Sequence, residues 1–317
     1  MNSAAASTVT PTEDPQDLNE KLRREIRRVI SVSDEILDSI LVAFMASGHV
    51  LIEGIPGTGK TLLSRTLARC LDCDFKRIQF TNDLMPSDIV GSSIWRPAQE
   101  RFEFIPGPLF GNIILADEVN RTSSRTMSCL LEAMEAGSVS VEGRAMPLAD
   151  PFLIMATRNP IEFHGTFPIP EAMLDRFLVR VELGYPDPES ECALYMGEAP
   201  EEVLSELQPV LSSETLIALR AAVPHVTVSE PICRYALSVA DATRKHPAVA
   251  LGVSPRAAMS WIKAAKGLAL MSGRSYVVPD DLKGLAQSVL GHRVFLKDGS
   301  DARSLIEELT ATLPVDL

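Results

Sequence analysis

The chain has 317 residues, 46% apolar and 23% charged, enough for one large domain or two ordinary ones with full cores. Its 42 acidic residues outnumber 30 basic ones, and a formal charge of −12 speaks against a nucleic-acid binder working through a broad basic surface. The longest strongly apolar run, Ile40 to Ala46, falls far short of the ~20 residues of a spanning helix, and the N-terminus lacks the basic and apolar regions of a secretory signal, so a cytoplasmic location without membrane insertion is expected.

Residues 1–17 are rich in Ala, Ser, Thr, Pro and Asp without an apolar period, and read as a disordered leader. A charged amphipathic helix is expected from Leu18 to Ile30. A second begins near Ser31, where Ser31 and Asp34 have capping-box-like spacing and Ile36, Ile40, Leu41 and Phe44 form an apolar face. Short apolar strands then alternate with helices: Val50-Leu51-Ile52, Phe75 to Phe80, Ile113 to Ala116, Phe152 to Ala156 and Phe177 to Leu183. Apolar strands separated by helices indicate a parallel sheet covered on both faces. After Pro186-Asp187-Pro188 no further apolar strand run appears. Helices are expected around 189–196, 213–222, 230–245, 255–271 and 279–290, which sets a domain boundary near residue 186.

Cys70 and Cys73 form a C-x-x-C pair, but no second pair or suitably spaced histidines follow to complete a zinc site, and buried or half-buried thiols are the simpler reading. The segment Gly54-Ile55-Pro56-Gly57-Thr58-Gly59-Lys60-Thr61 satisfies G-x-x-x-x-G-K-[ST] in full, between an apolar strand and a helix. Glycines let consecutive amides, through Leu62, wrap phosphate oxygens at a helix N-terminus. Lys60 is expected to reach the β- and γ-phosphates of ATP, and the Thr61 hydroxyl to ligate Mg²⁺. Asp117 and Glu118 follow an apolar strand, a costly position for two carboxylates unless cationic chemistry waits there. Asp117 is assigned to the Mg²⁺ shell and Glu118 to polarising the attacking water. Asn159 ends the strand expected beside Asp117, where its amide would orient the water and the γ-phosphate, with Pro160 terminating the strand.

Two arginines complete the set. Arg176 lies between a helix and the last strand, suited to neutralising γ-phosphate charge from a neighbouring subunit; the bland alternative is an ion pair with Asp175 or Glu171. Arg256 falls in the first turn of a helix capped by Ser254 and opened by Pro255, where a cation opposes the helix dipole by a few tenths of a kcal/mol to ~1 kcal/mol. An anionic phosphate would relieve that cost.

Together these segments resemble the MoxR family of AAA+ ATPases, from about residue 20 to the end. The resemblance is carried by the phosphate loop, Gln79-Phe80-Thr81 with Met85-Pro86-Ser87-Asp88, Leu115-Ala116-Asp117-Glu118-Val119-Asn120-Arg121, Met155-Ala156-Thr157-Arg158-Asn159-Pro160, Gly165 to Phe177 and Gly252-Val253-Ser254-Pro255-Arg256-Ala257. It implies an α/β core with a five-stranded parallel sheet (18–186) and a small all-helical lid (187–317). It also implies an insert around 90–105, a hairpin around Val139–Met146, and a ring, usually hexameric, with ATP at subunit boundaries. By that analogy Asn159 matches sensor 1, Arg176 the arginine finger and Arg256 sensor 2. Family members act as chaperone-like remodellers, often of proteins with a von Willebrand factor A domain. The chain departs from the pattern at Arg158, where the family commonly has Gln, and at Ser31-Val32-Ser33, where it commonly has Gly-Gln. Arg158 is open between an interface contact and a partner of Glu118. Two other functions fit parts of the pattern: a DNA-directed AAA+ motor, disfavoured by the acidic balance and by Glu142 in the hairpin, and an ATP-bound scaffold that does not hydrolyse, disfavoured by Glu118 and Asn159.

Overall fold

In the computed structural model, which describes residues 14–159, 167–197 and 199–315, the chain opens with helix α1 (Pro15–Arg27). Asp14 caps it, its carboxylate accepting from the Gln16 amide at 3.0 Å, so helix begins before the expected Leu18 and ends before Ile30. The rest of the expected leader lies outside the described residues. Helix α2 (Asp34–Met45) is capped by Ser33, which accepts from the Ile36 amide at 3.4 Å. The expected Ser31 cap is replaced by a long-range contact: the Ser31 hydroxyl donates to Asp187 at 2.5 Å.

Strand β1 (His49–Glu53) leads through the phosphate loop into α3 (Lys60–Cys70), and β2 (Phe75–Gln79) into the short α4 (Pro86–Val90). The expected insert is an antiparallel hairpin, β3 (Gly91–Arg96) with β4 (Arg101–Pro106). Next come β5 (Ile113–Asp117), α5 (Ser124–Ala136) and the second expected hairpin, β6 (Ser138–Val141) with β7 (Arg144–Pro147). Strand β8 (Leu153–Arg158), the single turn α6 (Glu171–Leu174) and β9 (Phe177–Glu182) complete the sheet.

The five long strands form one parallel sheet in the order β2-β5-β8-β1-β9. Every residue of β1 and β5 is buried, as expected for strands covered on both faces. Side chains alternate between two cores. Val50, Ile52, Ile113, Leu115, Leu153 and Met155 pack on the side of α1, α2, α3 and the lid. Leu51, Ile114, Ala116, Ile154 and Ala156 pack on the side of α4 and α5.

Beyond β9 the chain is helical: α7 (Pro188–Tyr195), α8 (Pro200–Glu206), α9 (Ser213–Ala222) and α10 (Glu230–Lys245). A short strand β10 (Val249–Leu251) then precedes α11 (Pro255–Met271), α12 (Pro279–Leu290), β11 (Phe295–Leu296) and α13 (Arg303–Thr312). The region is thus helical apart from a two-stranded ribbon, β10 with β11, too short to register as an apolar run. Helices α8 and α13 were not anticipated. The lid core closes on fully buried Trp261, whose indole N–H donates to Leu282 O at 2.8 Å. It is continuous with the core beneath the sheet, where α11 packs on α2 and passes its backbone close to Val42 at Gly267.

Candidate functional site at the phosphate loop

The phosphate loop leaves β1 and turns into α3 through Gly57 (φ 87°) and Gly59 (φ 86°), left-handed positions that glycine adopts without a Cβ penalty. A Cβ on Gly54 would lie 2.5 Å from Leu183 O, so that turn also admits no side chain. Thr58 is buried, and its hydroxyl donates to Ile55 O at 3.0 Å, holding the loop from within. Lys60 folds back on its own loop, donating to Gly54 O at 2.5 Å and Ile55 O at 3.0 Å. Burial lowers its ammonium pKa, and Asp117 and Glu118 partly offset the shift.

Sheet register brings the other groups to this end. Asp117 has the parity of Ile113 and Leu115, and Thr157 that of Leu153 and Met155, so both point to the α3 side. The Thr157 hydroxyl donates to Asp117 Oδ1 at 2.6 Å and accepts from the Glu118 amide at 2.9 Å. On the other oxygen Asp117 takes the Arg77 guanidinium at 2.5 Å. Glu118 leaves the strand in a left-handed conformation (φ 58°, ψ 50°), an unfavourable backbone position for a non-glycine residue. Its carboxylate accepts from the Gln79 side-chain amide at 2.9 Å and faces Arg121 at 3.2 Å.

A cavity of about 420 Å³ collects Gly57, Gly59, Lys60, Thr61, Leu62, Asp117, Glu118 and Asn159, together with Arg77, Gln79, Thr157 and Glu201. Four of these carried no expectation. Thr157 is visible only once β8 is known to lie beside β5. Arg77 sits on a strand whose side chains are mostly exposed. Gln79 opens a motif without an assigned task. Glu201 comes from α8, tied to the loop helix by Arg65 at 2.6 Å.

The donor set suits a magnesium nucleotide. The first residues of α3 line the cavity beside one ammonium, and the Thr61 hydroxyl and the Asp117 carboxylate are hard oxygen donors of the kind Mg²⁺ takes. Among the described residues no group of three His, Cys, Asp or Glu forms a separate metal site. Cys70 and Cys73 are free, with thiol pKa values raised by burial to about 12 and about 11.

The arginines lie elsewhere. Arg176 pairs with Glu135 at the end of α5, and not with Asp175 or Glu171, the partners of the alternative reading. Arg256, exposed in the first turn of α11, faces Asp175 at 3.6 Å, and the same carboxylate meets buried Arg293 at 3.2 Å. Neither Arg176 nor Arg256 is among the described residues lining the phosphate-loop cavity. Arg158 bonds to Glu53 at 2.8 Å, not to Glu118, close to the Arg180–Asp301 pair (2.7 Å) that joins β9 to the lid. Pro160, Gly165 and Thr166 lie outside the described residues.

Residues 49–179 match the ATPase family associated with various cellular activities (AAA), and residues 241–310 match the AAA lid domain. The chain is 45% identical over 308 residues to the uncharacterized protein YeaC of Bacillus subtilis, covering 96% of each. It is 42% identical over 283 residues to Chaperone MoxR1 of Mycobacterium tuberculosis, covering 86% of this chain and 74% of that one. Protein MoxR of Paracoccus denitrificans is 32% identical, with 87% and 90% covered. The crystal structure of a candidate ATPase from Cytophaga hutchinsonii superposes with a TM-score of 0.85 at 34% identity, covering 96% of both chains. Motifs, sheet order, lid and relatives agree: the chain belongs to the MoxR family of AAA+ ATPases.

Proposed function

We propose that this protein hydrolyses ATP with Mg²⁺ at the boundaries between subunits of a ring and uses the cycle to remodel a protein client. The observation that carries the reading is the separation within one chain. Lys60, Thr61, Asp117, Glu118 and Asn159 share one cavity, whereas Arg176 and Arg256 stand apart from it. A phosphoryl-transfer site needs a cation for the charge developing on the γ-phosphate. Arginines held off their own pocket suit the pocket of a neighbour.

In this reading the α3 amides and Lys60 bind and orient the phosphates. Thr61 and Asp117 would hold Mg²⁺, which when bound neutralises phosphate charge. Arg77 would yield its hold on Asp117 to that cation. Glu118 takes a proton from the attacking water, and its strained backbone, fixed by the Thr157 hydroxyl, aims the carboxylate. Asn159 positions the water, Arg176 of the adjoining subunit meets the transferred charge, and Arg256 supports it. The client follows from family likeness alone: a protein bearing a von Willebrand factor A domain, whose metal-binding face the ring would help load or mature.

Turnover of ATP by the wild type against Glu118→Gln tests the chemistry. Substitution should lower kcat by about 10²–10⁴-fold with ATP affinity nearly unchanged. Equal, near-zero rates in both proteins would instead identify an ATP-bound scaffold. A pull-down with Glu118→Gln loaded with ATP addresses the client, and recovery of no protein with a von Willebrand factor A domain would count against that partner.

A further inference from the structure

Among the described residues, two surfaces of opposite character are unpartnered. One is a groove of about 1090 Å³ between α10 and α11, with Met45 and Ala46 at one end and Leu237 and Met259 exposed along it. Its charged lining is entirely basic: Arg220, Arg244, Arg256, Lys263 and Lys266. Asp150, Asp241 and Asp175 stand 3.7, 2.9 and 3.6 Å from the three arginines, but none of these carboxylates lines the groove. Lys263 and Lys266 have no carboxylate within ion-pairing distance among the described residues; Lys266 donates only to Pro224 O at 2.9 Å. Burial, and after it the adjacent Arg220, lowers the Lys263 pKa.

The other surface is α7. It buries no side chain, exposes Leu194, Tyr195 and, just past its end, Met196, and carries Glu189 and Glu191 behind the capping Asp187. An acidic helix with an unburied apolar end is as unusual on a free surface as an apolar groove ringed only by cations.

We infer that α7 of one copy seats in the α10–α11 groove of the next. Within one chain α7 does not reach the groove, since none of its residues lines it. Asp187 is tied to Ser31, whose neighbour Ile30 lies against Gly59 of the phosphate loop, and α8, which follows α7, contributes Glu201 to the phosphate-loop cavity. The groove, for its part, contains Arg256. Seating α7 there carries the Arg256 side of one copy towards the Lys60 side of the other. The contact joins two different surfaces, so repeating it builds a ring or a filament rather than a two-fold dimer. Apolar Leu194, Tyr195 and Met196 would meet Leu237 and Met259, while Glu189 and Glu191 meet Lys263 and Lys266. The inference rests on the proposal that Arg256 serves a neighbouring subunit.

Two native cysteines report on the contact. Cys192 is exposed on α7, and Cys233 is exposed on α10 in the lining of the groove. With the full-length protein and ATP in the Glu118→Gln background, a short bis-maleimide should link Cys192 of one copy to Cys233 of the next and give a ladder of multimers. Either Cys192→Ser or Cys233→Ser alone should abolish the ladder, and a mixture of the two should give linked dimers only. In parallel, Glu189→Lys with Glu191→Lys should raise the concentration for half-assembly by about tenfold or more, and adding Lys263→Glu with Lys266→Glu should recover most of it. Links that survive Cys233→Ser would mean that Cys192 lies against another thiol of the neighbour, its own counterpart or the half-buried Cys73 or Cys129, overturning the inference. Assembly seen by sedimentation without Cys192–Cys233 links and without charge dependence would overturn it while leaving the ring intact. A protein that stays monomeric with ATP at every concentration would remove the ring reading as well.

Discussion

The two ends of the proposed composite site are built by different physics. At the phosphate-loop end backbone geometry does the positioning: left-handed glycines shape the loop, a helix terminus presents amides, and strand parity turns Asp117 and Thr157 to the same face. At the arginine edge side chains hold one another, with Asp175 shared by Arg256 and Arg293 and Arg176 leaning on Glu135. A site framed by backbone and strand register, with Arg77 and Arg121 pairing its carboxylates, collects most of its groups within one chain. An edge made of ion pairs can exchange partners when a phosphate arrives, as a contact completed by another subunit requires.

The largest effect expected from breaking this division comes from Arg176→Ala. It should lower kcat by about 10³–10⁵-fold and leave ATP affinity within a few-fold. Mixing it with Lys60→Ala should restore measurable turnover, because some interfaces then combine an intact pocket with an intact arginine. Absence of rescue in confirmed mixed assemblies would move Arg176 out of the neighbour's site.

Smaller effects sharpen the contrast between the two supports. Thr157→Val removes the hydroxyl between Asp117 and the Glu118 amide, and should cost about 10–100-fold in kcat. The unpaired amide should cost a further ~1–3 kcal/mol of stability, read by urea unfolding. Asp175→Asn, at the other edge, should lower turnover by about tenfold without changing nucleotide affinity, since no nucleotide contact is lost in its own chain. If Thr157→Val proved silent, or if Asp175→Asn weakened ATP binding, the split between a backbone-built pocket and an ion-paired edge would not hold.

The smallest effect concerns the frame shared by both ends. His49, at the start of β1, accepts from the Ile154 amide at 3.0 Å through Nδ1, and its Nε2 lies 3.3 Å from Met134 O, which fixes a neutral tautomer. Burial depresses its pKa from 6.5 to about 4. His292 bonds Phe177 O at 2.9 Å, joining the lid to β9, and burial holds its pKa well below 6.5. Both rings are neutral in the fold, so below pH 6.5 the unfolded chain binds more protons. Stability should therefore be fully present above pH 6.5 and decline as pH falls towards 4, by up to ~1.4 kcal/mol per pH unit for each histidine. Urea midpoints between pH 7 and pH 5 measure the slope, and His49→Asn should remove about one proton's share of it.

How much of this was legible beforehand divides along the same line. The strands at Ile113 and Phe152, the phosphate loop and the helix opened by Ser254 and Pro255 are written in local pattern, because burial on both faces demands apolar runs and caps demand particular residues. The Asp14 cap of α1 and the Ser33 cap of α2 shifted two helix boundaries, since several polar residues compete at each start. Thr157, Arg77 and Glu201 were not legible as site residues. Each becomes one only through register or through a helix returning from far along the chain.

By itself, then, the order of residues determined that a nucleotide loop is followed by two strand ends bearing Asp117-Glu118 and Asn159. Those are short-range matters of spacing, turn chemistry and hydrophobic period. Only the tertiary structure decided which carboxylate each arginine holds, that Arg158 serves Glu53, and that the described residues leave an acidic helix and a basic groove uncovered. Partners of long charged side chains are chosen by the packing of distant elements, and sequence spacing carries no record of that choice.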